Sequence, residues 1–260
     1  MEEFQNLLFE ISNDYRYAIL VLLQEKPKRI TEIAKLQHLT TQEISRHIAR
    51  LVNIEIASKD ADGFFHITPY GELVLALLEE LQFTSKNKTY FAKHTVIQLP
   101  PAFIKRIGEL SYSKQTSSVM EFLHFVDQSI KEAKEYVWLC VDQYPLTAIG
   151  SIVNALKRGV RFRVIESRGI LNSPKYALES AEEAQALAGT RRMPLGEQKI
   201  VDKIDFFMAL TESKSAVAFP SQGGQIDYFG FTSSDERSRA WCNELFKNTW
   251  SGSGFCCKSY

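Results

Sequence analysis

The first eighty-odd residues alternate between helical and strand periods in an informative order. Between Asn13 and Gln24, Tyr15, Ile19, Leu22 and Leu23 recur on one face of a 3.6-residue period, with Asn13 placed as N-cap. Residues 30–36 predict a short helix that ends at a turn over Gln37, His38 and Leu39. Thr40 opens the next helix, and Glu43 three residues later completes a capping box. Along that helix Ile44, Ile48, Leu51 and Val52 form one buried stripe. Residues 56–59 and 64–67 then predict a hairpin about Asp60-Ala61-Asp62-Gly63, where the Asp-Gly pair supplies the positive φ of a tight turn. Thr68 and Pro69 follow as N-cap and first residue of a helix reaching about Phe83. Helix, turn, helix, hairpin, helix is the order of a winged helix-turn-helix.

Residues 84–89 are polar and lack periodicity, and predict a hinge between a domain over 1–84 and another over 95–260. The second part has a different rhythm. Leu99 to Phe103 opens a short helix toward Leu110, and a longer one spans about 118–134 with Val119, Phe122, Leu123, Val126 and Ile130 inward. The apolar run 136–141 predicts a buried strand, Pro145 starts a helix that ends at Gly159, and 160–165 alternates with period two. Strand, helix, strand at this spacing is a right-handed crossover between parallel strands. A helix near 174–187 follows, then short strands over 204–210, 215–219 and 226–231. A last helix starts at Ser233, with Glu236 completing a second capping box, and runs through Trp241, Leu245, Phe246 and Trp250. The expected fold class is therefore α+β: an N-terminal winged helix-turn-helix and an α/β domain with a mixed sheet.

Composition narrows the class. An apolar content of 45% and a charged content of 24% over 260 residues allow each domain a core. No apolar run reaches the roughly 20 residues that span a bilayer, so no membrane role is expected. The start Met-Glu-Glu is acidic where a signal peptide is basic, which points to the cytoplasm. The four cysteines make no C-x-x-C pair and no metal-ligand spacing with the five histidines, so neither a metal nor a cofactor is expected. Cys140 reads as a core thiol; Cys256 and Cys257 are either redox-active or inert.

Net charge is zero, yet between Lys26 and Asn53 six basic residues face two acidic ones. The exposed side of the second helix carries Thr41, Gln42, Ser45, Arg46, Ala49 and Arg50, side-chain types that read base edges and hold phosphates. Gln42, Ser45 and Arg46 are the candidates for base edges, and Thr41, Arg50 and Lys59 for phosphates. His47 serves either a phosphate or packing. Double-stranded DNA is the expected partner, read by a homodimer.

Catalytic patterns are scarce: there is no P-loop, G-x-G-x-x-G, G-x-S-x-G or H-E-x-x-H. Ser111 and Lys114 fit S-x-x-K without its companion elements, and His124 sits on a helix face. In the second domain Arg191-Arg192 could clamp an anion or end a solvated loop. Arg161 and Arg163 share one strand face directed to solvent, and Asp227 with Tyr228 lines a polar pocket or an ordinary strand.

The stretches 132–140 and 155–162 resemble the first half of a phospholipase-D-like domain. Residues 209–219, Asp227 to Phe231 and the ending Trp241 to Trp250, with the opening Leu99-Pro-x-x-Phe to Leu110, resemble the sensor domain of archaeal winged-helix regulators. The methanogenesis and filament regulatory protein family is the nearest resemblance, with TrmB-like sugar-responsive regulators more distant. The resemblance covers essentially the whole chain and implies a transcription regulator whose second domain meets a small-molecule effector. Phospholipase-D enzymes need H-x-K-x-x-x-x-D, and none of the five histidines is followed two residues on by Lys. A phosphodiesterase without that His lacks its nucleophile, so no enzyme is expected. A protein–protein module without DNA binding, and a phosphodiesterase with an unrecognised site, are the rival readings.

Overall fold

A computed structural model describes residues 2–144, 146–168, 196–252 and 256–257. The chain forms two compact units, Met1–Leu81 and Gln82–Tyr260. Residues 174–187, expected as a helix, together with Arg191 and Arg192, lie outside the described residues.

The first unit opens with α1 (Glu2–Ile11), which the reading from Asn13 onward did not anticipate, and α2 (Asp14–Glu25). Asn13 caps α2 as expected, its side chain accepting from Arg16 N at 3.2 Å. The inward face of α2 is Arg16, Ile19, Leu20 and Leu23; Arg16 turns in to donate to the Glu10 and Phe9 carbonyls, and Tyr15, expected inward, is exposed. Helix α3 (Ile30–Gln37) stops at His38, which takes the left-handed conformation at φ 54°. Helix α4 (Thr41–Asn53) starts at the Thr40–Glu43 capping box and buries Ile44, Ile48 and Leu51. Val52 stays exposed instead, since the packed stripe is narrower than the apolar pattern.

Strands β1 (Ala57–Lys59) and β2 (Phe65–Ile67) pair antiparallel as the wing, with Gly63 at φ 86° in the turn. Thr68 Oγ1 accepts from Gly71 N at 3.0 Å and opens α5 (Pro69–Lys86). A Cβ on Gly71 would stand 2.3 Å from the Ile56 carbonyl oxygen, so helix and wing meet there at backbone distance. The expected unstructured hinge is not present: α5 continues to Lys86, and α6 (Lys88–Phe91) follows at once.

The second unit is built on an eight-stranded sheet, counted among the described residues. Helix α7 (Pro101–Ile104) and a 3-10 turn (Ile107–Leu110) replace the one short helix expected there. Then come β3 (Lys114–Gln115), α8 (Val119–Glu132), β4 (Tyr136–Val141), α9 (Leu146–Lys157), β5 (Arg161–Ser167) and β6 (Gly196–Val201). The chain continues through β7 (Phe207–Thr211), β8 (Ser215–Ala218), β9 (Phe231–Ser233), α10 (Glu236–Gly252) and β10 (Cys256–Cys257). The strand order is β10-β6-β5-β4-β7-β8-β9-β3. Strands β4, β5 and β6 run parallel, whereas β4 meets β7 antiparallel, so the sheet is mixed as expected.

Side-chain alternation along β4 sorts the layers. Trp138 faces Phe246 of α10 at 5.0 Å between ring centroids. On the opposite face Phe207 of β7 meets Phe122 of α8 at 5.5 Å, and α9 packs beside α8. Cys140 is fully buried, as a core thiol.

Two expectations near the end fail for local reasons. Residues 226–230 are not strand: Asp227 Oδ1 accepts from Phe229 N, and Tyr228 adopts φ 58°, which together turn the chain out of a ladder. Ser233 closes β9 instead of capping α10; the Asp235 carboxylate takes that role, accepting from Arg237 N at 3.0 Å and Ser238 N at 3.1 Å.

Candidate nucleic-acid interface

The amphipathic pattern of α4 determines what it can offer. With Ile44, Ile48 and Leu51 turned into the core, Thr41, Gln42, Ser45, Arg46, Ala49 and Arg50 are all exposed on the other side. The capping box fixes where this row begins: Glu43 accepts from Thr40 N at 2.9 Å and from Thr40 Oγ1 at 2.7 Å. The Thr40 hydroxyl bond holds the Glu43 carboxyl below the usual carboxylate range, so the acid stays ionised at the helix N-terminus. Arg46 makes no ion pair among the described residues.

Arg50 differs from the other candidates. Its Nη1 lies 3.1 Å from Glu10 Oε1 on α1. Glu10 also meets the buried Arg16, whose Nε is 3.0 Å from Oε2 and donates to the Glu10 carbonyl at 2.6 Å. Arg16 Nη2 donates further to the Phe9 carbonyl, so this guanidinium closes the last turn of α1. One carboxylate thereby spans two arginines. Lys28, another cation of the locally basic segment, is buried, with Nζ 3.5 Å from Glu25. The local excess of positive charge is therefore smaller at the surface than along the chain.

Arg46, His47 and Arg50 border a cleft of about 530 Å³ completed by Phe9, Ser12, Asn13, Arg16 and Glu43. Its cations, hydroxyl and amide are the donor set that suits a phosphodiester. The His47 ring rests on Tyr15 at 5.6 Å. Burial, then the neighbouring Arg16, push the His47 imidazole below its usual value and favour the neutral ring. Asn13 was legible as a cap and His47 as a residue for a phosphate or for packing; Phe9, Ser12 and Arg16 line the cleft where α1 meets α2, and α1 was passed over in the sequence. The signal was present in Phe4, Leu7, Leu8 and Ile11, spaced i, i+3, i+4 and i+7.

The wing presents Lys59, exposed and 5.6 Å above the Phe65 ring. At the tip Asp60 accepts from Phe64 N at 2.8 Å and pairs with His66 Nε2 at 2.6 Å. The His66 bond keeps the Asp60 carboxyl below its usual range. Arg29 stacks over Phe64 at 4.6 Å and adds a cation at the wing that the sequence reading did not single out.

In the second unit, Asp227 is half-exposed and held by His94 Nε2 at 3.0 Å, while His94 stacks on Tyr90 at 3.9 Å. Tyr228 donates to Asp142 at 2.9 Å, and burial pushes the Asp142 carboxyl up. Arg163 does not simply face solvent: its guanidinium lies 5.5 Å from the Trp138 ring and 5.4 Å from Trp250, with Glu197 at 3.1 Å. Among the described residues, no group of three His, Cys, Asp or Glu could hold a metal ion, and no helix is long and apolar enough to cross a membrane.

No protein-family model and no curated protein matches the chain. Among solved structures it is similar to TrmBL2, an archaeal chromatin protein described as showing a novel mode of DNA binding, at 14% identity and a TM-score of 0.43 over 93% of both chains. It is similar also to NucT from Helicobacter pylori, at 11% identity and a TM-score of 0.39 over 53% of this chain and 92% of that one. Nuc from Salmonella typhimurium, a phospholipase D family member, gives 10% identity and a TM-score of 0.33 over 51% of this chain and 88% of that one. At such identities the function has to be read from the residues themselves.

Proposed function

We propose that this chain is a sequence-specific DNA-binding transcription regulator that works as a homodimer. The second unit is then the part that senses a small ligand or joins the copies. The reading is carried by α4: one turned-out face bearing Thr41, Gln42, Ser45 and Arg46, with a wing beside it that ends in Lys59. A helix of this kind enters the major groove by its N-terminal half, where Gln pairs with adenine and Arg with guanine. Thr41, the Arg50 side of the cleft and Lys59 fall to the phosphates. Two copies on one site would place half-sites about one helical turn apart.

An effector acts in this scheme by binding one dimer geometry better than another and shifting DNA affinity by that difference. Asp227 is the described candidate for meeting it; Arg191 and Arg192 are the others. No catalytic role is assigned.

The deciding experiment is fluorescence anisotropy on the DNA upstream of the coding sequence against a scrambled duplex, across a salt series. A sequence-preferring complex whose log K falls with log salt at a slope near about −7, for about eight neutralised phosphates, supports the regulator. Absence of preference and of salt dependence would make the winged helix a protein-interaction module.

A further inference from the structure

The chain as a whole balances 31 basic against 31 acidic residues, yet from Gln82 through Gly108 it carries Lys86, Lys88, Lys93, Lys105 and Arg106 and neither Asp nor Glu. This stretch opens the second unit and holds the end of α5, α6 and α7. Arg106 is already taken, held by Glu109 and by Glu244 at 2.6 Å each. The ammonium groups of Lys86, Lys88 and Lys93 make no ion pair among the described residues. In sequence the nearest acids are Glu80 and Glu109. In space Asp227 reaches the segment, where His94 Nε2 holds its carboxylate at 3.0 Å.

Burial sorts residues 83–94 into two faces. Phe83, Tyr90 and His94 are buried, whereas Ser85, Lys86, Lys88, Thr89, Ala92 and Lys93 are exposed. The faces continue past the end of α5 because helical bonds bridge it: Asn87 N donates to the Phe83 carbonyl and Phe91 N to the Asn87 carbonyl, both at 3.1 Å. The inner face is pinned by Tyr90, whose hydroxyl donates to the Phe229 carbonyl and accepts from Phe219 N, both at 3.0 Å. At a helical rise of about 1.5 Å per residue, the three lysines stem from about 10 Å of chain. One strand of a duplex sets a phosphate about every 3.4 Å along its axis, so their spread matches about three successive phosphates.

We infer that the outer face of residues 85–93 binds the phosphate backbone of duplex DNA without reading its sequence. The occupant follows from what the face holds and what it lacks. Lysine ammonium groups beside the Ser85 and Thr89 hydroxyls are donors that hold phosphate oxygens. A single strand would be gripped by stacking on aromatic rings, and here Phe83 and Tyr90 are turned inward. A membrane surface would call for Phe, Trp or Leu among the lysines, and the largest apolar side chain of the outer face is Ala92. With Lys59 of the wing, the three lysines make four cations in each copy, which supplies the eight neutralised phosphates of the dimer proposed above. The inference rests on that DNA reading and adds to the second unit a direct hold on DNA.

The test is the full chain carrying Lys86→Gln, Lys88→Gln and Lys93→Gln. Its anisotropy is measured on the upstream duplex, a scrambled duplex and the matching single strand across a salt series. The slope of log K against log salt is expected to become shallower by about 3 for each copy bound, at about 0.9 per phosphate. Both duplexes should lose affinity by the same factor, so that their ratio is unchanged. Arginine at the same three positions is expected to keep the wild-type slope. A control carrying Lys134→Gln, Lys157→Gln and Lys247→Gln removes the same charge from exposed sites elsewhere in the second unit. Equal flattening in the control overturns the inference, because net charge alone then accounts for it. So does a loss confined to the single strand. A wild-type chain that prefers its own duplex, with a first variant of unchanged slope, leaves the regulator standing and strikes this inference. A wild-type chain without preference, whose slope the first variant still flattens, does the reverse. A chain that binds no duplex strikes both.

Discussion

Glu10 and Arg50, forty residues apart, form an ion pair at 3.1 Å that ties α1 to the outward face of α4. Because Glu10 also holds the buried Arg16, it subtracts charge from the interface while locking α1 in place.

Glu10→Gln is expected to act in two directions. Releasing Arg50 for a phosphate should strengthen DNA binding and steepen the slope of log K against log salt by about 1. Leaving Arg16 without its carboxylate should cost about 1–3 kcal/mol of stability, moderated by its two backbone carbonyl partners. Paired anisotropy and thermal melts decide; a variant that melts lower and binds no better means Arg50 contributes nothing to DNA affinity.

Arg46→Ala should weaken specific binding by about 1–3 kcal/mol and flatten the preference at one base position. Selection of binding sites from a randomised pool reads this directly. An equal loss on every sequence would make Arg46 a phosphate contact.

His47 gives the interface a pH signature. In the free protein, burial and Arg16 hold the ring below its usual value of 6.5. The folded protein thus binds fewer protons than the unfolded chain, and this contribution to stability is complete above pH 6.5 and lost as pH falls through the lowered folded value. A phosphate in the cleft favours the protonated ring, so the complex takes up a proton. DNA affinity should rise as pH drops below about 6.5. Anisotropy at fixed salt between pH 5 and 8 should lose that rise in His47→Gln; a rise that survives places the proton elsewhere.

Much of this interface was legible in the sequence. The Thr40–Glu43 box, the apolar stripe of α4 and the Asp-Gly wing turn are local signals, and local hydrogen bonds or steric limits enforce them. The Glu10–Arg50 pair was not legible, because charge pairing across forty residues follows from how α1 packs and leaves no periodic trace. The same holds for Arg163, whose alternation correctly placed it on one strand face. Its position between Trp138 and Trp250 depends on β4 lying beside β5 and on α10 covering that face. The failed strand at 226–230 shows the reverse case: apolar composition suggested a ladder, and one Asx turn with a left-handed Tyr228 overrode it.

Two glycines should respond oppositely to alanine. Gly71→Ala forces a methyl against the Ile56 carbonyl at 2.3 Å and should cost about 1–3 kcal/mol, lowering the melting temperature of the first unit by several degrees. Gly150, inside α9, has nothing within 4 Å of such a methyl, and its alanine variant should gain about 0.5–1 kcal/mol. Calorimetry of the two variants that ranked them the other way would contradict the packing of α5 against Ile56.

The core thiols should be silent in the native state. Burial pushes Cys242 up to about 12 and Cys140 higher still, so neither supplies thiolate at pH 8. In Cys256→Ser, Cys257→Ser protein, reaction with a disulfide reagent is expected only after guanidinium is added; labelling under native conditions would mean these sites open locally.

The pairing of β3 with β9 has a consequence for the order in which the protein is made. Lys114 bonds across to Thr232, so the strand that closes the sheet edge must wait for a segment synthesised more than a hundred residues later. At about 5–20 residues per second, the emerging chain leaves that pairing unmade for about 6 to 24 seconds. The first unit, Met1–Leu81, is a compact body of its own and can be complete before then. The first unit is thus able to exist on the ribosome while the rest of the polypeptide still has an unpaired strand to shelter.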